Sequence, residues 1–139
     1  MSLVVPDEGE ILLLSYMLNK TPTDDVVLRL FKNNFTPSEN TTLAGGIGEN
    51  PEECTESGYP EDGISLIGSG WAITLGAMNV VTAEHTEQTF HITEAVTVYG
   101  YYITDADNTT VLTIERFSEP GELPTEGGRI YVTPVIILS

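Results

Sequence analysis

Positive charge is scarce in this sequence. Five Lys and Arg face 21 Asp and Glu over 139 residues, a formal net charge of −16. Between Lys32 and Arg116 there is no Lys or Arg at all, while thirteen acidic residues fall there. Nucleic-acid binding relies on Lys and Arg to neutralise phosphates, and anionic membranes attract the same residues, so neither partner is expected. The charge implies instead a solvated acidic exterior. Cysteine is nearly absent: the lone Cys54 cannot close an intrachain disulfide, which excludes a disulfide-stapled scaffold. No apolar run approaches the roughly 18 residues of a membrane span. No charged-then-apolar leader opens the chain, so neither a membrane protein nor a secreted precursor is expected.

Signatures of catalysis are missing as well. There is no P-loop, dinucleotide fingerprint or Gly-x-Ser-x-Gly elbow. His85 and His91 are the only histidines, and their spacing matches no metal signature. Acidic neighbours should raise the thiol pKa of Cys54, the reverse of what a nucleophile needs. Asp105, Asp107 and Asn108 begin like a calcium loop, but the glycine and glutamate that would complete it are absent. A hairpin turn accounts for the same letters, since Asp and Asn bond to their own turn backbone. The carboxylates of Glu49, Glu52, Glu53, Glu56, Glu61 and Asp62 offer at most a diffuse surface for divalent ions. Neither enzymatic activity nor a cofactor is expected.

The patterns that are present predict one domain over 1–139, mainly β, an antiparallel β-sandwich or barrel with one N-terminal α-helix. Residues 7–20 carry the helix. Ile11, Leu14 and Leu18 recur at spacings of three and four with Leu13 and Met17 flanking them, acids crowd the first turn, and Pro22 ends the segment. Gly9 works against helicity there. Period two begins at 26–35, where Leu28 and Leu30 face one way while Arg29 and Lys32 reach solvent. Residues 36–63 form a long acidic, irregular stretch with a glycine run at 45–48, either an excursion that orders against a partner or a mobile loop.

From about 64 to 139 the chain reads as a β body. Segments at 64–67, 71–75, 79–84, 86–93, 97–104, 110–117 and 129–138 are rich in Val, Ile, Thr, Tyr and Phe. They are separated by turn-like stretches, among them Glu119-Pro120-Gly121-Glu122. The segment at 96–104 is apolar on both parities, so it should be central, with Gly100 marking a bulge or a close backbone approach. The apolar run at 135–138 must be paired and covered, or it would be a sticky edge. Trp71, Tyr99, Tyr101, Tyr102 and Phe117 either pack the core or line a sugar-binding surface.

Several stretches, in order, resemble a group of small virion structural proteins of tailed phages, including cyanophages. They are Leu3-Val-Val-Pro-Asp-Glu-Gly-Glu10, Leu28-Arg-Leu-Phe-Lys-Asn-Asn34 with Thr36-Pro37, Glu87-Gln-Thr-Phe90, Val98-Tyr-Gly-Tyr-Tyr102, Glu115-Arg-Phe-Ser118, Ile130-Tyr-Val-Thr-Pro134 and the closing Ile137-Leu-Ser139. The resemblance implies a virion component without catalytic residues, and does not separate head decoration from a tail part. Charge favours the outer surface of the capsid, away from packaged nucleic acid. The expectation is a decoration or cement protein, self-associating as a trimer and clamping the major capsid protein. Its candidate interface residues are Leu3, Val4, Val5, Ile136, Ile137 and Leu138. The alternative is a tail-associated or surface module that binds a receptor or glycan.

Overall fold

The computed structural model describes residues 3–18, 20, 24–44 and 50–138. Pro22, the glycine run at 45–48, Glu49 and Ser139 lie outside the described residues. In chain order the elements are β1 (Leu3–Val4), α1 (Asp7–Met17), β2 (Val26–Phe31), β3 (Ile64–Leu66), β4 (Trp71–Leu75), β5 (Val81–His85), β6 (Gln88–Ile92), β7 (Val96–Thr104), β8 (Val111–Leu123), β9 (Gly128–Val132) and β10 (Val135–Leu138). All the pairings between them are antiparallel. The fold is mainly β with one N-terminal helix and sandwich-like packing, as the sequence predicts.

A five-stranded sheet in the order β1-β8-β7-β2-β3 is the backbone of the molecule. On one face Leu28, Leu30, Val98, Tyr101 and Ile103 meet Phe90, Ile92, Ile130 and Val132 of the β6-β9 ribbon, with Leu12 of α1 in the same cluster. On the other, Phe31, Tyr102, Val111 and Ile114 are covered by Val4, Phe35, Leu43 and Tyr99. Burial on both faces is what makes the middle strand, β7, apolar on both parities.

Two glycines set how closely the layers approach. A Cβ at Gly100 would strike the carbonyl of Glu115 and come within 2.5 Å of the Phe31 ring. The register also breaks here: Gly100 stands opposite Arg116 but Val98 stands opposite Gly121, so residues 117–120 form a bulge without partners in β7. Gly9, which costs helicity, lets α1 press against β8, since a Cβ there would meet the carbonyls of Val111 and Leu112.

Several expectations are corrected. The helix ends at Met17 rather than near 20: Leu18 N–H closes onto the Leu14 carbonyl, and Lys20 N–H reaches back to Ser15. Its stripe Ile11, Leu14, Leu18 points outward, while Gly9 and Leu12 are the buried positions. The strand at 26–35 stops at Phe31, and Arg29 is buried, only 4% exposed, rather than reaching solvent. Glu119-Pro120-Gly121-Glu122 does not break the chain direction; β8 runs through it. Pro120 falls in the 117–120 stretch that has no partner in β7, and β1 covers β8 only at Ile114 and Glu115, so no ladder bond is lost on either side. The terminal segment is two strands, β9 and β10, in different sheets.

The acidic stretch is the largest correction. Where β3 ends, residues 52–54 take over the edge of β2: Cys54 N–H donates to the Leu30 carbonyl and Lys32 N–H to that of Glu52. The Arg29 guanidinium lies 3.0 Å from Glu53, and Lys32 Nζ 3.0 Å from Glu56. Tyr59 donates its hydroxyl to Glu53 at 2.7 Å, accepts Leu30 N–H at 3.1 Å and stacks on Phe90. Over 50–63 the segment is therefore part of the packed body, not a loop awaiting a partner.

Candidate functional site

Of the groups that sequence alone singled out for chemistry, Asp105, His85, Glu53 and Glu56 are engaged internally, whereas Glu52, Glu61, Asp62, His91 and Asp107 lie exposed. Asp105 accepts the N–H groups of Thr109 and Thr110 and the Thr109 hydroxyl, a turn built by its own carboxylate. His85 is buried, its two ring nitrogens facing the carbonyls of Thr86 and Ile67, with Trp71 packed edge-on at 5.1 Å. Among the described residues no three His, Cys, Asp or Glu side chains converge as a metal site would require. Also among the described residues, no helix is long and apolar enough to cross a membrane.

A cleft of about 450 Å³ is lined by residues 53–59 and Glu61, but its chemistry is spent. Glu53 is tied to Arg29 and Glu56 to Lys32. Burial pushes the Glu56 carboxyl up, yet the Lys32 ammonium and nearby backbone N–H groups outweigh it and hold the carboxyl below its usual range. The Cys54 thiol is driven up to about 12, by burial first and by Glu56 second, so it stays protonated and inert.

The cations are consumed in the same way. Besides the two ion pairs, Arg116 donates to the Phe35 carbonyl at 2.8 Å and lies over the Tyr99 ring. Lys20 and Arg129 remain at the surface. The exterior is thus more uniformly anionic than composition alone conveys. Burial raises the carboxyls of Glu8 and Glu115, opposed at Glu8 by N–H donation from Val111 and Leu43. Both groups bind a proton more tightly folded than unfolded, so their contribution to stability grows as pH falls from neutrality toward the ordinary carboxylate value of roughly 4.3. Glu56 acts in the opposite sense, losing its contribution only as pH drops below that value. Thermal unfolding should therefore occur at a higher temperature at pH 5 than at pH 7.5, by a few degrees in a scanning measurement.

What the fold leaves uncovered is an apolar sheet. β10-β5-β4 form a separate three-stranded sheet. The register places Trp71, Ile73 and Leu75 beside His85, Ala83 and Val81, and these beside Ile136 and Leu138. With a side-chain period of two, these eight residues share one face, and none is acidic or basic except the enclosed His85. At its base that face packs on the core through Trp71 and Ile136. Toward the other end it overhangs: Ile73 is 73% and Leu75 71% exposed, and Leu138 is half exposed.

The hairpin tip carries Met78, 93% exposed, in the left-handed region with φ 59°, followed by Asn79 with φ 60°. This is the backbone of a type I′ turn, closed by Val80 N–H on the Ala77 carbonyl. Asn suits such a position and Met does not, at a cost of roughly 1 kcal/mol. Beside the sheet, Leu13, Leu14 and Met17 of α1 join Leu138 and Glu10 around a shallow apolar groove.

Of the six interface candidates, Ile136, Ile137 and Leu138 belong to the sheet with this surface, with Ile137 on the opposite face and 41% exposed. Leu3 and Val4 are half-buried in β1, at the edge of the five-stranded sheet, and Val5 follows them. The two sets are not brought into one sheet. Sequence reasoning missed the contribution of β4 and the tip. Their signal was the alternation Trp71-x-Ile73-x-Leu75, which looks the same whether the face is covered within the chain or outside it. No protein-family model matches the chain, and neither a curated protein nor a solved structure is found to be similar to it.

Proposed function

We propose that this protein is a non-enzymatic virion component, an outer capsid decoration or cement protein of a tailed-phage head, which self-associates as a trimer and bridges subunits of the major capsid protein. The observation that carries the reading is the pairing of an anionic, cation-depleted body with a sheet whose one face is apolar, free of carboxylates and overhanging. Contiguous exposed apolar surface beyond a few hundred Å² marks a contact with other protein. The anionic body disfavours packaged nucleic acid and suits a face turned to water. The role is mechanical: binding that favours the assembled shell stabilises it by mass action.

The competing reading, a tail-associated or glycan-binding module, asks for aromatic rings open to a ligand. Tyr101 and Tyr102 are buried, and Trp71, Tyr99 and Phe117 are half-buried against the core or its flanks. Tyr131 of β9 is 57% exposed, but a single ring does not make a sugar-binding groove, so the distribution favours the cement reading. The test is microscopy of particles with and without the protein, combined with heating of both. Density lost from the outer shell, with heads that rupture more readily, is the expected result. Density lost from the tail, or binding on a glycan array, would overturn it.

A further inference from the structure

We propose that a second copy of this chain covers the overhanging face of β4, β5 and β10, with Met78 of one copy seated in the apolar groove between α1 and Leu138 of the next. The inference deepens the proposed function by naming the surface through which copies meet.

Three observations point to that occupant. The exposed side chains of Ile73, Leu75, Met78, Val81 and Leu138, with Leu14 and Met17 alongside, leave a patch of the order of the ~800 Å² that each partner of a standard interface buries. The chain also supplies both halves of a fit. Met78 is an apolar knob on a backbone that Met does not favour, and it stands 93% exposed among the described residues. The groove lined by Leu13, Leu14, Met17 and Leu138, with Glu10 as its one charged member, is the matching recess. Knob and groove lie in one continuous patch, so each copy both gives a knob and offers a groove, in a reciprocal two-fold pair or around a closed ring.

Electrostatics selects the same partner. A basic partner would be drawn to the acidic exterior, whereas the sheet face offers it no carboxylate. Two copies of like charge approach best where charge is sparse: the sheet face carries no carboxylate and the groove beside it only that of Glu10. Salt should then tighten the contact by screening the acidic bodies from each other.

The test is the mass of the purified full chain by light scattering and sedimentation at about 100 μM protomer and two salt concentrations. The wild type should be oligomeric, more so at high salt. Ile73→Glu with Leu75→Glu should be monomeric, with an unchanged circular-dichroism spectrum, because both positions are exposed. Met78→Asn should weaken association about tenfold or more while leaving the thermal midpoint of the dilute monomer equal or higher, since Asn suits the turn. A monomeric wild type, an oligomer unaffected by these substitutions, or association loosened by salt would each overturn the inference. A monomer that still decorates the outer shell would overturn this contact and leave the cement role standing. An oligomer that never joins a head would do the reverse.

Discussion

Arg29→Met should destabilise the fold by about 3 kcal/mol, the lower end of what breaking a buried ion pair costs. The guanidinium donates to Thr104 Oγ1 at 3.1 Å and to both oxygens of Glu53 at 3.0 and 3.3 Å. Without it, Glu53 keeps one donor among the described residues, the Tyr59 hydroxyl, and its carboxylate is left largely buried beside an apolar side chain. The lower end applies because Glu53 retains 23% exposure and can recruit water. In thermal unfolding the loss corresponds to a fall of about 10 °C. Pairing the change with Glu53→Leu removes the stranded charge, so the double variant should recover more than half of the loss. A double variant no better than the single one would show that the two side chains are not energetically coupled.

Gly100→Val should be at least as damaging, about 3 kcal/mol or more. Overpacking commonly costs about 1–3 kcal/mol when side chains can shift. Here one of the opposing groups is the Glu115 carbonyl, on the backbone of the paired strand β8, which has no rotamer to change. The Phe31 ring lies on the other side at 2.5–2.6 Å, in a buried position of its own. Gly100→Ala should move the urea midpoint in the same direction by less. Gly68→Ala, with nothing within 4 Å of its Cβ, is the control and should stay within about 0.5 kcal/mol of wild type. The denaturant slope should be unchanged in all three, since none alters the surface exposed on unfolding.

These two residues mark what the sequence makes legible. Gly100 interrupts an otherwise apolar strand, and that local anomaly is enough to infer a bulge or a close approach. Arg29 carries no such mark. Its partner lies 24 residues away in a stretch whose composition reads as a loop, and only the fold places Glu53 at the vacant edge of β2. The same non-locality hid the extension of β8 past Pro120, which depends on β8 regaining its pairing with β7 at Gly121–Leu123 beyond an unpaired bulge. In α1 periodicity identified the helix but not its buried side, because apolar residues surround it and the deciding position was the small one, Gly9. At the candidate site, the pairing of the C-terminal strand was readable from its apolar run. The overhang was not, since exposure depends on how far the core extends beneath the sheet.

The internal use of cations has a practical consequence for mapping where this protein sits. The sequence holds two lysines, Lys20 and Lys32. The second has its ammonium bound by Glu56 and the Thr55 hydroxyl. Amine-directed cross-linkers would therefore find almost nothing to grip on the β body, and a sparse cross-link map would reflect this chemistry rather than a lack of neighbours. Reagents that couple carboxylates would report on nearly the whole exterior.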